Sequence, residues 1–263
     1  MEKYITQQDI KVCYDVYNKT SKTTVVLIHG FGLNKDMWKP QITALKKYRV
    51  INIDARGHGK SRPCDKFNVI DVCRDIAAIL EKESCKNAAV IGLSMGSYVA
   101  QEFVRLYPEL TAGVMAADGT PLFIKYPRWE TASLKWSGPL LRLYTWKSLK
   151  KLMAKQTAIK DDVRIKLVEM FDTQTKEEFI NSWAGIANVL HEENVDIKCP
   201  FYVVYGAQDK SGTIKLHAND WEKEYPDCKV FEIPDAGHVS NMDNPKAFNK
   251  IMLKFLREVE ETN

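Results

Sequence analysis

Ala88-Ala89-Val90-Ile91-Gly92-Leu93-Ser94-Met95-Gly96 is the stretch on which the fold turns. Its opening run, Ala88–Leu93, carries no polar side chain and does not alternate, which reads as a strand buried on both faces of a parallel sheet. From Met95 to Tyr107 the spacing becomes helical, and Pro108, which lacks the N–H to continue a helix, stops it. Ser94 therefore sits on a sharp strand-to-helix turn, the context in which G-x-S-x-G carries chemical meaning. Bulky side chains two positions either side of so strained a turn would clash, which accounts for Gly92 and Gly96. The turn lifts the Ser94 hydroxyl clear of the sheet. The helix beginning at Met95 brings unpaired N–H groups and a positive dipole end beside it.

The same alternation extends in both directions. Apolar, β-branched runs at Thr24–Ile28, Val50–Ile53, Gly113–Ala117, Phe201–Tyr205 and Val230–Ile233 read as further strands, with helical stretches between them. The fold class is α/β, a mostly parallel central sheet flanked by helices, with ligands expected at the carboxyl ends of the strands. Tyr4–Thr6 and Lys11–Tyr17 read as a leading antiparallel hairpin with a polar turn at Gln7–Asp9. Val69–Leu80 has helical spacing, and Pro245–Val259 reads as a terminal helix with Pro as an early residue. From about Pro121 to Val195 there are helical patterns but no convincing strand, and this region holds Trp129, Trp136, Trp146 and Trp183 of the chain's 6 tryptophans. The expected organisation is a core formed by residues 1–120 and 196–263, with a helical cap at 121–195 inserted over the carboxyl edge. Most cap aromatics are expected in the cap's own core, with one or two lining a pocket.

Composition narrows the function classes. At 263 residues the chain is near the ~250–300 at which one hydrophobic core stops growing, so one domain or a core with an insertion is expected. Hydrophobic residues at 45% and charged residues at 27%, with 13 Gly and 10 Pro, argue against disorder and collagen-like sequence. The 38 basic and 34 acidic side chains leave a net charge of +4, no electrostatic case for a nucleic-acid partner. The uncharged run at 87–101 is short of the ~20 apolar residues of a membrane span. The opening residues carry Glu2, Lys3, Asp9 and Lys11 and lack a secretory apolar stretch, so a cytoplasmic location is expected. The 6 cysteines contain no C-x-x-C pair and read as reduced, mostly structural thiols. His191-Glu192-Glu193-Asn194-Val195 lacks the second histidine of H-E-x-x-H, and His217 is expected on a surface helix, so no metal site is expected.

A serine hydroxyl is a poor nucleophile unless a histidine takes its proton and a carboxylate orients that histidine. Asp209 follows the strand Phe201–Tyr205 in FYVVYGAQD, where a carboxylate can hang over the sheet edge. His238 follows Val230–Ile233 in IPDAGHVSNMDNP, on a loop whose Ala236 and Gly237 permit close approach. The chain order Ser94, Asp209, His238 matches one of three common orders for such a triad.

These segments together resemble the α/β-hydrolase fold superfamily, in its capped, cytoplasmic branch of serine esterases, carbon–carbon bond hydrolases, cofactor-free perhydrolases and haloalkane dehalogenases. The resemblance rests on VVLIHGFG at 25–32, DARGHGKS at 54–61, GLSMG at 92–96, VVYGAQD at 203–209 and DAGH at 235–238, which span nearly the whole core. It implies an oxyanion hole from the backbone amides of Phe31 and Met95, and structural roles for His29 and His58. Dehalogenases carry Asp at the nucleophile position, so Ser94 disfavours that chemistry. Ser97 departs from the second glycine that many relatives have there, which bears only on local helix packing. Some relatives place the orienting acid where Asp118 stands, and Asp118 stays open as the alternative to Asp209.

The implied function is a serine hydrolase, carboxylesterase-like, cleaving a carboxylic ester or related acyl bond of a small molecule through an acyl-enzyme, with no metal or organic cofactor. A carbon–carbon bond hydrolase or perhydrolase with the same triad is the enzymatic alternative, and a ligand receptor on the same fold the non-enzymatic one. A membrane partner is not expected beyond weak peripheral contact through the cap. There Lys135, Arg142, Lys147, Lys150, Lys151, Lys155 and Lys160 occur without an acidic residue, and Leu140, Leu141, Leu143, Trp146, Leu149 and Leu152 form a candidate apolar counterpart.

Overall fold

A computed structural model describes residues 1–262. In chain order the elements are β1 (Glu2–Gln7), β2 (Ile10–Tyr17), β3 (Thr24–Ile28), α1 (Lys39–Ile42), β4 (Arg49–Ile53), α2 (Val69–Lys82), β5 (Ala88–Leu93), α3 (Met95–Leu106) and β6 (Thr111–Ala117). There follow α4 (Arg128–Leu141), α5 (Trp146–Thr157), α6 (Asp161–Phe171), α7 (Lys176–Ile186), β7 (Phe201–Gly206), α8 (Asp220–Glu224), β8 (Lys229–Ile233), α9 (Ser240–Asp243) and α10 (Pro245–Thr262). The strands form one sheet in the order β1-β2-β4-β3-β5-β6-β7-β8. The β1–β2 and β2–β4 pairs are antiparallel, and all pairs from β4 to β8 are parallel.

The strands β3, β4, β5 and β6 are buried at every residue, because helices cover both faces of a parallel sheet. Alternate side chains feed different layers. Val25, Leu27 and Ile91 pack with Trp38, Phe248 and Phe255 on the α1 and α10 side. Val26, Val90 and Val114 pack with Ile76, Phe103 and Trp221 on the α2, α3 and α8 side.

The hairpin turns on Gln8 and Asp9, both at positive φ (51° and 65°), the backbone of a two-residue turn whose twist matches the strands. Asn68 caps α2 by accepting the N–H of Ile70. Pro245 opens α10 directly after Asn244, whose Oδ1 accepts the N–H of Ala247. Between β6 and β7 the chain forms α4 to α7 and no strand among the described residues. Strand and helix ends differ from the sequence reading by up to three residues, as element ends commonly do.

Candidate active site

Ser94 has φ 55° and ψ −113°, a left-handed backbone that a non-glycine residue adopts only when its surroundings enforce it. The enforcement is visible. Its N–H donates to the carbonyl of Ala117 on β6 at 2.7 Å. A Cβ on Gly92 would strike the carbonyl oxygen of Gly96, and one on Gly96 the carbonyl oxygen of Ile28. Ser97 turns its hydroxyl back onto the carbonyl of Ser94 at 2.6 Å.

The structure brings the three expected side chains together. Ser94 Oγ lies 2.8 Å from Nε2 of His238, and Nδ1 of His238 lies 2.9 Å from Oδ2 of Asp209. In this arrangement the neutral imidazole donates its Nδ1–H to the carboxylate and offers Nε2 to the serine hydroxyl. Oδ1 of Asp209 also accepts the N–H of Ser211 at 2.7 Å. Burial disfavours charge on His238, but the charge and hydrogen bond of Asp209, with the charge of Asp118, outweigh it and raise its pKa above the ordinary value. Gly206 makes the approach of the two loops sterically feasible, since a Cβ there would meet the carbonyl oxygens of Gly237 and Ala236.

Asp118 is fully buried and makes no hydrogen bond to the imidazole. Its Oδ1 accepts from the N–H of Gly206 (2.9 Å), and its Oδ2 from the N–H and hydroxyl of Ser240 (3.0 and 2.6 Å). It thereby ties the ends of β6 and β7 to the start of α9. Burial, with the charge of Asp209 nearby, pushes its pKa up, against the charge of His238 and the two hydrogen bonds from Ser240.

Asp243 was not singled out in the sequence. It is fully buried on α9, and its carboxylate accepts the N–H groups of Gly237, Ile159 and Lys160 at 2.9, 3.1 and 3.2 Å. With the hydrogen bond from His238 N–H to the carbonyl of Thr157 (2.8 Å), it fastens the histidine loop to the end of α5. An acid two residues before the proline of a terminal helix carries no periodic signal, so only the three-dimensional packing reveals it.

His29 is buried, with Nε2 accepting the N–H of Ala55 at 3.0 Å and Nδ1 against the carbonyl of Gly30 at 2.8 Å. Burial pulls its pKa down to about 4, so it is neutral and braces the loop that carries Phe31. His58, 5.1 Å from it between ring centroids, is held down to about 3, chiefly by burial. Phe31 and Met95 line the same cavity as Ser94 and His238, and neither amide is taken up by a loop or turn hydrogen bond among the described residues. The Phe31 ring packs on Phe179 and Trp183 of α7. Gly32, at φ +71°, gives α6 and α7 room: a Cβ there would press on Phe179 and Phe171.

The cavity measures about 580 Å³ and runs from Ser94 and His238 to the inner sides of α4 to α7. Leu134, Leu141, Met153, Phe171 and Trp183 give it apolar walls, and Ser137, Gln156 and Lys210 are polar points among them. Three expectations about this region need correction. His217 is not on a surface helix: it is buried in the turns before α8, with Nε2 2.8 Å from Glu130 of α4 and Nδ1 2.7 Å from Asp220. Trp129 and Trp136 are not packed in a core but are 61% and 72% exposed. Of the leucines grouped with the basic run, Leu149 is fully buried and Leu141 lines the cavity, while Leu140 and Leu143 are exposed. Among the described residues no 3 or more His, Cys, Asp or Glu side chains converge as a metal site, and no helix is long and apolar enough to cross a membrane.

A strained serine between strand and helix, joined through a histidine to a carboxylate on a parallel sheet, defines a hydrolase architecture. Residues 25–251 match the family model described as the alpha/beta hydrolase family, and the chain belongs to that family. It is 25% identical over 244 residues to 3-oxoadipate enol-lactonase 1 of Acinetobacter baylyi, covering 90% of this chain and 89% of that one. It is 24% identical over 247 residues to the pimeloyl-acyl-carrier-protein methyl ester esterase of Yersinia enterocolitica, covering 89% of this chain and 93% of that one. Among solved structures, a thermophilic esterase from Thermogutta terrifontis superposes with a TM-score of 0.83 at 23% identity, covering 98% of this chain and 99% of that one.

Proposed function

We propose that the protein is a serine hydrolase that cleaves a carboxylic ester of a small molecule through an acyl-enzyme, with α4 to α7 as a cap over the substrate cavity. The observation that carries this reading is the continuous hydrogen-bonded line from Ser94 through His238 to Asp209 at the floor of that cavity. His238 Nε2 takes the Ser94 proton as Oγ attacks the ester carbonyl. The amides of Phe31 and Met95 hold the resulting oxyanion, a pair of donors of which each is typically worth ~2.7–4 kcal/mol. The imidazolium, steadied by Asp209, then protonates the departing alkoxide, which leaves as the alcohol. A water molecule gives its proton to Nε2 and attacks the acyl carbon. Collapse of the second tetrahedral intermediate returns that proton to Ser94 and releases the carboxylic acid. The names of the two curated relatives, an enol-lactonase and a methyl ester esterase, support an ester as the scissile group.

A panel of p-nitrophenyl esters of increasing chain length, with wild type and Ser94→Ala, tests the proposal. The expected result is multiple turnover by wild type and a loss of roughly 10⁶-fold in kcat in the variant. Equal turnover by both proteins contradicts it.

A further inference from the structure

Helix α4 presents three stripes. Glu130, Leu134, Ser137 and Leu141 recur at helical spacing and face the cavity. Trp129, Trp136, Leu140 and Leu143 recur on a second side, about a third of a turn away, continuing into the turn after the helix, and are 61%, 72%, 57% and 80% exposed. Arg128, Lys135 and Arg142, each seven positions from the next, flank that apolar stripe. The three cations are exposed and make no side-chain ion pair or hydrogen bond among the described residues. The one acidic residue of α4, Glu130, is buried against Thr213 and His217. A soluble monomer seldom gathers four large apolar side chains on one exposed stripe without a partner.

We infer that the outer face of α4 docks on an anionic lipid surface, the indoles and leucines entering the headgroup boundary and Arg128, Lys135 and Arg142 meeting lipid phosphates. Indoles beside a cationic flank are the composition of interfacial helices. The stripe lies on a convex helix, where lipid chains conform to protruding side chains without needing a matching socket. An acidic protein partner would instead need pockets to receive them. Docking is a property of this surface and stands apart from the catalytic reading. Because α4 also walls the cavity, a docked molecule holds that cavity one helix away from the lipid.

The test is cosedimentation of full-length Ser94→Ala protein, which keeps binding separate from any lipid hydrolysis. The vesicles are phosphatidylcholine alone, or phosphatidylcholine and phosphatidylglycerol in equal parts. Binding is expected to the mixed vesicles and at least tenfold less to the neutral ones. The triple variant Arg128→Gln, Lys135→Gln, Arg142→Gln should bind on the order of 100-fold more weakly, from about fivefold per cation. The double variant Trp129→Ser, Trp136→Ser should bind roughly tenfold more weakly. In an otherwise wild-type background the double variant should retain turnover of a soluble ester, which shows that it folds. Absence of binding to mixed vesicles overturns the inference, and so does binding that neither set of substitutions weakens. Self-association through α4, or retention on an acidic protein, without vesicle binding also overturns it.

Discussion

Nε2 of His238 lies 2.8 Å from Oγ of Ser94 although 144 positions separate the two residues in the chain. The convergence is made by backbone. Strands β5 and β7 bring the serine turn and the Asp209 loop to one edge of the sheet, and Gln208 N–H donates to the carbonyl of Ala236 at 2.8 Å, joining the acid loop to the histidine loop. The side chains need little freedom to meet, which is what a preorganised site requires.

Asp209 and Asp118 divide two roles that either could have held. Asp209→Asn should lower kcat by about 10⁴-fold, since the amide favours the wrong imidazole tautomer. Asp118→Asn sets an amide N–H₂ against one of three donors. It should lower the melting temperature through a loss of about 1–3 kcal/mol while keeping most of kcat. Kinetics and thermal melts of the two variants separate them.

The raised pKa of His238 sets the direction of the pH profile. Only the neutral imidazole accepts the Ser94 proton, so kcat/KM should rise with pH through a midpoint above the ordinary histidine value of about 6.5. Removing the negative charge in Asp209→Asn should move that midpoint to lower pH while the plateau falls. Rates measured across the acid limb for both proteins check the sign.

Asp243 ties the histidine loop, through the N–H of Gly237, to the turn after α5, through the N–H groups of Ile159 and Lys160, without touching the imidazole. Asp243→Ala frees that loop, and a misplacement of His238 by about 1 Å should cost on the order of 10²-fold in kcat. Asp243→Asn, which keeps one acceptor oxygen, should lose less. Equal kcat in wild type and Asp243→Ala would contradict a positioning role.

His217 joins α4 to the turns before α8 with both ring nitrogens facing carboxylates, an arrangement that favours the protonated ring. Burial opposes that charge, but the hydrogen bonds of Asp220 and Glu130 prevail and raise the pKa. The contribution to stability is therefore complete below the unfolded-chain value of about 6.5 and is lost as pH rises through the higher folded value. The melting-temperature gap between wild type and His217→Gln should be widest near pH ~6 and narrow toward pH ~9.

The legible parts of the sequence were those whose physics is local. A strand buried on both faces reads as a near-continuous apolar run, so β3 and β5 are readable to the residue from Thr24–Ile28 and Ala88–Leu93, whereas β4, which buries Arg49, starts one residue before the run at Val50–Ile53. The sterics of a tight turn demand Gly92 and Gly96 beside Ser94 wherever the rest of the chain goes. Asp209 and His238 were readable because each follows the end of a recognisable strand. Asp243, His217 and the outward tryptophans were not, since their roles depend on partners distant in sequence. The helical spacing of α4 states that one face differs from another, but not which face meets the cavity.

Ester cleavage by the proposed route requires that Ser94 carry the acyl group during turnover. Wild-type protein mixed with a short-chain p-nitrophenyl ester, quenched in acid during the burst, digested and analysed by mass spectrometry tests it directly. One acyl increment is expected, on the peptide containing Ser94, that disappears as substrate is exhausted and is absent from Ser94→Ala. Sustained ester turnover with the increment on another residue would contradict it.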